Sequence, residues 1–201
     1  PIGEFIYSYE SGKLKLKITH KPDGKTSYGV FYYENGVKMS EGKYINQKKD
    51  SLWTYYDDRA IISFRQEYKD DKKHGKKTVY YMSGRKSEVF TYKNDVLEGE
   101  WQRYFEDGTL MKTGYYKNNL LQGLVTHYGT TGKKESLNNY KDGMLEGPNI
   151  FYDDTGKPDT LWFEKGKELK GKMLENYKQR MKNPKNNTAN NKSNVPNKNG
   201  K

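Results

Sequence analysis

The chain has no cysteine in its 201 residues, which removes disulfides, thiolate nucleophiles and cysteine metal sites together. No hydrophobic run approaches the ~20 residues that a membrane-spanning helix needs. Hydrophobic residues make up 32% and charged residues 31%, a lean mixture for a globule with a deep core. The histidines, His20, His74 and His127, stand at no spacing that suits a zinc or catalytic set. Carboxylates pair only as adjacent turn residues, as in Asp57-Asp58, Glu106-Asp107 and Asp153-Asp154. Acid–base work across a cleft needs an opposed pair instead, and no run supplies the oxygens of a calcium loop. Gly75-Lys76-Lys77-Thr78 imitates the end of a phosphate-binding loop, but Asp70 stands where the first glycine belongs and a strand pattern follows. The chain is therefore expected to be no enzyme, with no metal and no cofactor.

What it does have is a repeat. Stepping by 24 through the sequence gives Tyr32, Tyr56, Tyr80, Tyr104, Tyr128 and Tyr152. A second column gives Tyr44, Tyr68, Tyr92, Tyr116 and Tyr140, with Glu164 at its end. A third holds Gly36, Ala60, Gly84, Gly108, Gly132 and Gly156. A fourth holds Ser27, Ser51, Gly75, Gly99, Gly123, Gly147 and Gly171. Four columns in one register signal an array in which each unit buries its faces against its neighbours.

Inside a unit the apolar period is near two, in short segments such as Lys77–Tyr81 and Lys86–Tyr92 that are rich in β-branched and aromatic residues. Asn35-Gly36, Ser83-Gly84 and Asp107-Gly108 are tight-turn pairs, and Asn94-Asp95, Asn118-Asn119 and Asp142-Gly143 form a second turn, expected to be the longer. Ala60 at a glycine position implies a different turn over Asp57–Ala60. The fold class is all-β: a single elongated, twisted antiparallel meander of 24-residue hairpin repeats, ~60–70 Å long at the usual strand spacing. Residues 1–26 read as a degenerate N-terminal repeat or cap, and residues 27–171 as six repeats without insertion or deletion. The two tyrosine columns are expected to interdigitate on one face, with Trp53, Tyr55 and Trp101 on the other.

The pattern Tyr-Tyr-x-x-Gly, then Tyr-Lys-Asn, then Leu-Glu-Gly-x-Trp, with Glu98-Gly99-Glu100-Trp101 and Lys73-His74-Gly75 at its most typical places, resembles the MORN repeat family in its bacterial variant. The resemblance covers roughly Ser27–Gly171. It implies a non-enzymatic scaffold or membrane-proximal tether, and bacterial variants are often labelled antitoxins, which would imply sequestering a cognate toxin.

After Gly171 the period changes. Residues 172–182 place Met173, Leu174, Tyr177 and Met181 on one helical face, with the lysines, Lys178 among them, and Arg180 elsewhere on the helix. Pro184 stops the helix. It either caps the last strand or lies on an anionic membrane or a partner. Residues 183–201 are Asn/Lys-rich and expected to be disordered. The net charge of +11 is concentrated here: residues 165–201 hold 11 Lys/Arg against 2 Glu, and the rest holds 26 Lys/Arg against 24 Asp/Glu. Nucleic-acid binding is accordingly not expected. A chain that begins at Pro1 is expected to be a processed or trimmed form, with an extracytoplasmic or cell-surface site expected and a cytoplasmic one open. Trp53, Tyr55 and Trp101 are the candidate anchors for a protein partner, or else they simply cover the second face of the sheet.

Overall fold

A computed structural model describes residues 3–182; the tail expected over 183–201 lies outside them. The first hairpins are built from β1 (Gly3–Ser8), β2 (Leu14–His20), β3 (Thr26–Tyr32), β4 (Lys38–Ile45) and β5 (Lys48–Tyr56). β6 (Ile62–Lys69), β7 (Lys72–Tyr80), β8 (Lys86–Lys93), β9 (Val96–Leu97), β10 (Gly99–Tyr104) and β11 (Leu110–Lys117) continue the chain. β12 (Leu120–Leu121), β13 (Gly123–Tyr128), β14 (Lys134–Lys141), β15 (Met144–Leu145), β16 (Gly147–Tyr152), β17 (Pro158–Glu164) and β18 (Lys167–Glu168) complete it, and α1 spans Gly171–Lys182. All 18 strands join one open antiparallel sheet. Each long strand pairs with the long strand before and after it in sequence, so the chain is a meander.

Two turn types alternate. At the first, Tyr33 N–H donates to Val37 O and Gly36 N–H to Tyr33 O, leaving a three-residue loop with Gly36 at φ 86. The same bonds recur at Tyr81/Arg85, Phe105/Thr109 and Asp153/Lys157. Asp57–Ile61 also makes them, so the different turn expected there is not found: Ala60 takes the glycine's conformation at φ 69. Asp57 Oδ1 holds it by accepting from the backbone N–H groups of Arg59 and Ile61. The second turn is the shorter one, contrary to the sequence expectation. Its two central residues both have positive φ, as at Asn94-Asp95 and Asn118-Asn119, which matches the twist of the flanking strands.

Each regular hairpin has one extra residue in its second strand. Phe31 pairs with Ser40 but Tyr32 with Lys38, bulging Met39; Ser63, Ser87, Met111 and Glu135 bulge likewise. A bulge resets which side chains share a face. It therefore separates the tyrosine columns that the sequence placed together. Tyr44 and Tyr68 share a face with Trp53, against which both pack. Tyr56, on the other face, donates to Glu41. The last hairpin lacks the bulge, with Phe151 opposite Asp159 and Tyr152 opposite Pro158. Everything after it slips by one residue, so Phe163 rather than Glu164 faces Gly147 and the next turn falls at Lys165-Gly166.

Candidate partner-binding surface

Trp53 is the centre of the N-terminal half. It sits opposite Gly42 on one neighbouring strand and Gln66 on the other. A Cβ at Gly42 would overlap the indole, so glycine lets the ring lie against the backbone. Phe31, Tyr44, Tyr55 and Tyr68 surround it at centroid distances of 6.2, 4.9, 6.3 and 6.5 Å. The Lys49 ammonium lies 4.3 Å from the ring centroid and also donates to the Tyr55 hydroxyl at 3.0 Å. Nε1–H donates to Lys43 O at 3.0 Å. Trp53 is 0% exposed. A ring with no accessible surface offers a partner nothing to touch, so its place here is packing. Tyr55 is half-buried, stacked on Phe64 at 4.3 Å. Burial is the main reason its phenol is pushed above the ordinary value.

Trp101 occupies the equivalent place two repeats on. Tyr116 meets it edge-on at 5.9 Å, and Gly114 lies opposite it. It is 9% exposed, and its buried Nε1–H has no acceptor among the described residues. The same face continues from it into Arg103, Lys112 and His127, each opposite the next on adjacent strands. The His127 pKa is lowered by burial first and by the Lys112 charge second.

Helix α1 is docked on the last hairpin. Tyr177 is buried, its ring edge-on to Trp162 at 6.2 Å and its hydroxyl donating to Glu146 at 3.0 Å. Burial and that carboxylate push the phenol up to about 12. Arg180 pairs with Glu164 at 3.0 Å, and the Lys178 ammonium lies 4.8 Å from the Trp162 centroid. Leu174 is half-buried. Met173 and Met181 are exposed, so the apolar face expected of this helix is divided between the sheet and solvent.

The surface that sequence reasoning missed is on the other face of the C-terminal half. Tyr115, Leu120, Leu124 and Met144 are 44–50% exposed. Tyr115 and Lys117 alternate with the core-facing Tyr116, and Leu120 pairs with Lys117 and Met144 with Lys141. The strip follows the same edge of the sheet as Trp162, on which α1 rests. Exposed apolar residues gathered on one face in this way, with lysines between them, mark an interaction site more than scattered ones do. Counting alternation through the Gly123 and Met111 irregularities would find it; Gly123, at φ 75, is of a type that marks such a break, whereas Met111 is not.

No cluster of three or more His, Asp or Glu side chains able to hold a metal occurs among the described residues. No helix among them is long and apolar enough to cross a membrane. A family model described as the MORN repeat variant matches residues 1–21, 29–46 and 97–118. The second and third matches each enclose one three-residue loop and the strands beside it. No curated protein matches the chain.

Proposed function

We propose that this chain, which carries repeats of the MORN variant, is a non-enzymatic module that docks a protein partner on the Tyr115–Leu120–Leu124–Met144 strip. MORN repeats are generally protein- or membrane-binding motifs in a non-catalytic family, and the strip supplies a surface on which that binding can work. The observation that carries the reading is α1 itself. The chain's own amphipathic helix already packs an aromatic ring on Trp162, and the exposed strip extends the same edge of the sheet beyond the helix. An amphipathic segment of a partner gains there what α1 gains, burial of apolar area against a preformed surface at little ordering cost to the sheet. On the opposite face, Trp101 and Val125 are buried on β10 and β13, the strands on either side of β11, which carries Tyr115. A membrane tether through α1 would first have to release Tyr177, Lys178 and Arg180 from the sheet.

A photo-crosslinking side chain in place of Tyr115 tests this in an extract of the source cells. Covalent capture of one protein species, lost when Leu120 and Leu124 are both changed to Asp, is the expected result. Labelling of lipid alone, or capture that survives the two aspartates, would overturn the reading.

A further inference from the structure

Two repeats separate the N-terminal row Tyr55, Phe64, Val79 from the row Arg103, Lys112, His127. The positions are equivalent, and so is the pairing: Tyr55 faces Phe64 and Phe64 faces Val79, as Arg103 faces Lys112 and Lys112 faces His127. The first row is packed apolar surface. In the second, the Arg103 and Lys112 cations stand directly opposite one another, an arrangement that destabilises a sheet, and His127 follows on the next strand. The fold does not require it, since the same frame accepts apolar residues at all three positions. Compensation is slight. Glu88 reaches Arg103 only at 3.8 Å, and Lys112 has no ion pair among the described residues. Arg103 keeps 49% of its side chain exposed while Lys112 and His127 are half-buried, so the row is open chiefly at its Arg103 end.

We propose that Arg103, Lys112 and His127 form a carboxylate-binding row that takes an acidic, extended peptide segment on the face opposite the apolar strip. Three adjacent strands span about 10 Å, and carboxylates two or three residues apart along an extended chain are about 7–10 Å apart. The charge is local. Outside residues 165–201 the chain holds 26 Lys/Arg against 24 Asp/Glu, so the row lacks the wide basic surroundings that a nucleic-acid backbone or an anionic bilayer recruits. It suits a short acidic peptide. With apolar docking on one face and acidic docking on the other, the sheet would hold two segments at once, which a scaffold requires. This step rests on the reading of the sheet as a protein-binding surface.

The test titrates the full chain at low salt with a short oligoglutamate peptide, followed by amide NMR shifts. Shifts should be confined to β10, β11, β13 and their neighbours. Arg103→Gln with Lys112→Gln should weaken binding about tenfold, the worth of two partly exposed charge contacts. Lys48→Gln with Lys72→Gln removes the same charge from exposed positions at the turn edge and should change affinity by less than about twofold. The row variant should melt no lower than the parent, because it relieves repulsion. Unchanged affinity in the row variant, or an equal loss in the turn-edge variant, would overturn the row. So would a matched oligonucleotide or phosphatidylserine-rich vesicles shifting the same amides more strongly than the peptide. If the row fails while crosslinking at Tyr115 still captures its protein, only the row is lost.

Discussion

Trp53 and Trp101 occupy one position of one repeat, yet their surroundings have diverged. Around Trp53 the space is closed by Gly42, four aromatic rings and the Lys49 ammonium, and the indole N–H is satisfied. Around Trp101 the equivalent of Lys49 is Leu97, the equivalent of Gly42 is Phe90, and the N–H has no acceptor among the described residues. Where the first half sets Tyr55, Phe64 and Val79 beside the ring, the second half sets Arg103, Lys112 and His127, of which Arg103 is exposed and the other two half-buried. The apolar strip also lies in the second half. One repeat frame thus supports two uses, a packed half and a half that leaves chemistry available, because the hydrogen-bonded turns and bulges carry the geometry and the side chains between them are free to vary.

The largest expected effect contrasts the two glycines under the tryptophans. Gly42→Ala forces Trp53 off the backbone and should destabilise by about 3 kcal/mol, the upper part of the usual cost of overpacking. Gly114→Ala should cost about 1 kcal/mol, because its added methyl meets chiefly the Val125 Cγ2 at 2.9 Å, with Trp101 at 3.6 Å. Urea melts of both variants measure this, and equal costs would erase the distinction between the halves. Next in size, Trp53→Phe gives up the bond to Lys43 O as well as ring volume and should cost about 2 kcal/mol. Trp101→Phe removes a buried, unpaired N–H along with the volume, and the two effects should nearly cancel.

Ala60 offers a gain instead of a loss. It holds a conformation that disfavours a side chain, so Ala60→Gly should stabilise by about 1 kcal/mol, offset in part by the freer unfolded chain. Calorimetry would read it as a raised melting temperature.

The smallest effects come from the loop carboxylates of both halves. Backbone donors, Thr26 N–H first, lower the Asp23 carboxyl to about 2. Asp57 is lowered by the Ile61 N–H first, Asp107 by the Thr109 N–H and Asp153 by the Thr155 hydroxyl. A carboxyl lowered on folding contributes stability above its unfolded pKa and loses it as pH falls through the folded one. The melting temperature should therefore be flat near neutrality and decline between about pH 4 and pH 2. Asp107→Asn should shallow that decline slightly.

The sequence made the hairpin array legible because glycine, asparagine and aspartate at fixed intervals have one physical reason to recur, a backbone with positive φ. It did not make the faces legible. The bulge residues Met39, Ser63, Ser87, Met111 and Glu135 share no chemistry, yet each reverses the alternation that follows it. That is why the 24-residue period alone puts both tyrosine columns on one face and gives no sign of Tyr115 and Leu124. The Trp53 ring was legible as an aromatic anchor, but its burial depends on Gly42 in another strand, which no local pattern around Trp53 reveals. Ala60 was read by its type, whereas the Asp57 carboxylate decides its turn. The one-residue slip of the last hairpin hid Phe163 and made Gly171 look like a repeat glycine when it opens the helix.

Leu52 and Leu124 provide the most direct test. They hold the same repeat position three units apart and are 49% and 50% exposed, so Asp at either site changes the same chemistry. Once the captured partner is purified, its affinity for Leu52→Asp and for Leu124→Asp should be measured beside the parent. Leu124→Asp should lose at least about tenfold, since one desolvated contact at an interface centre is worth that much or more, with Leu52→Asp indistinguishable from the parent. Equal losses at both sites, or a loss at Leu52 alone, would contradict the assignment of binding to the C-terminal half.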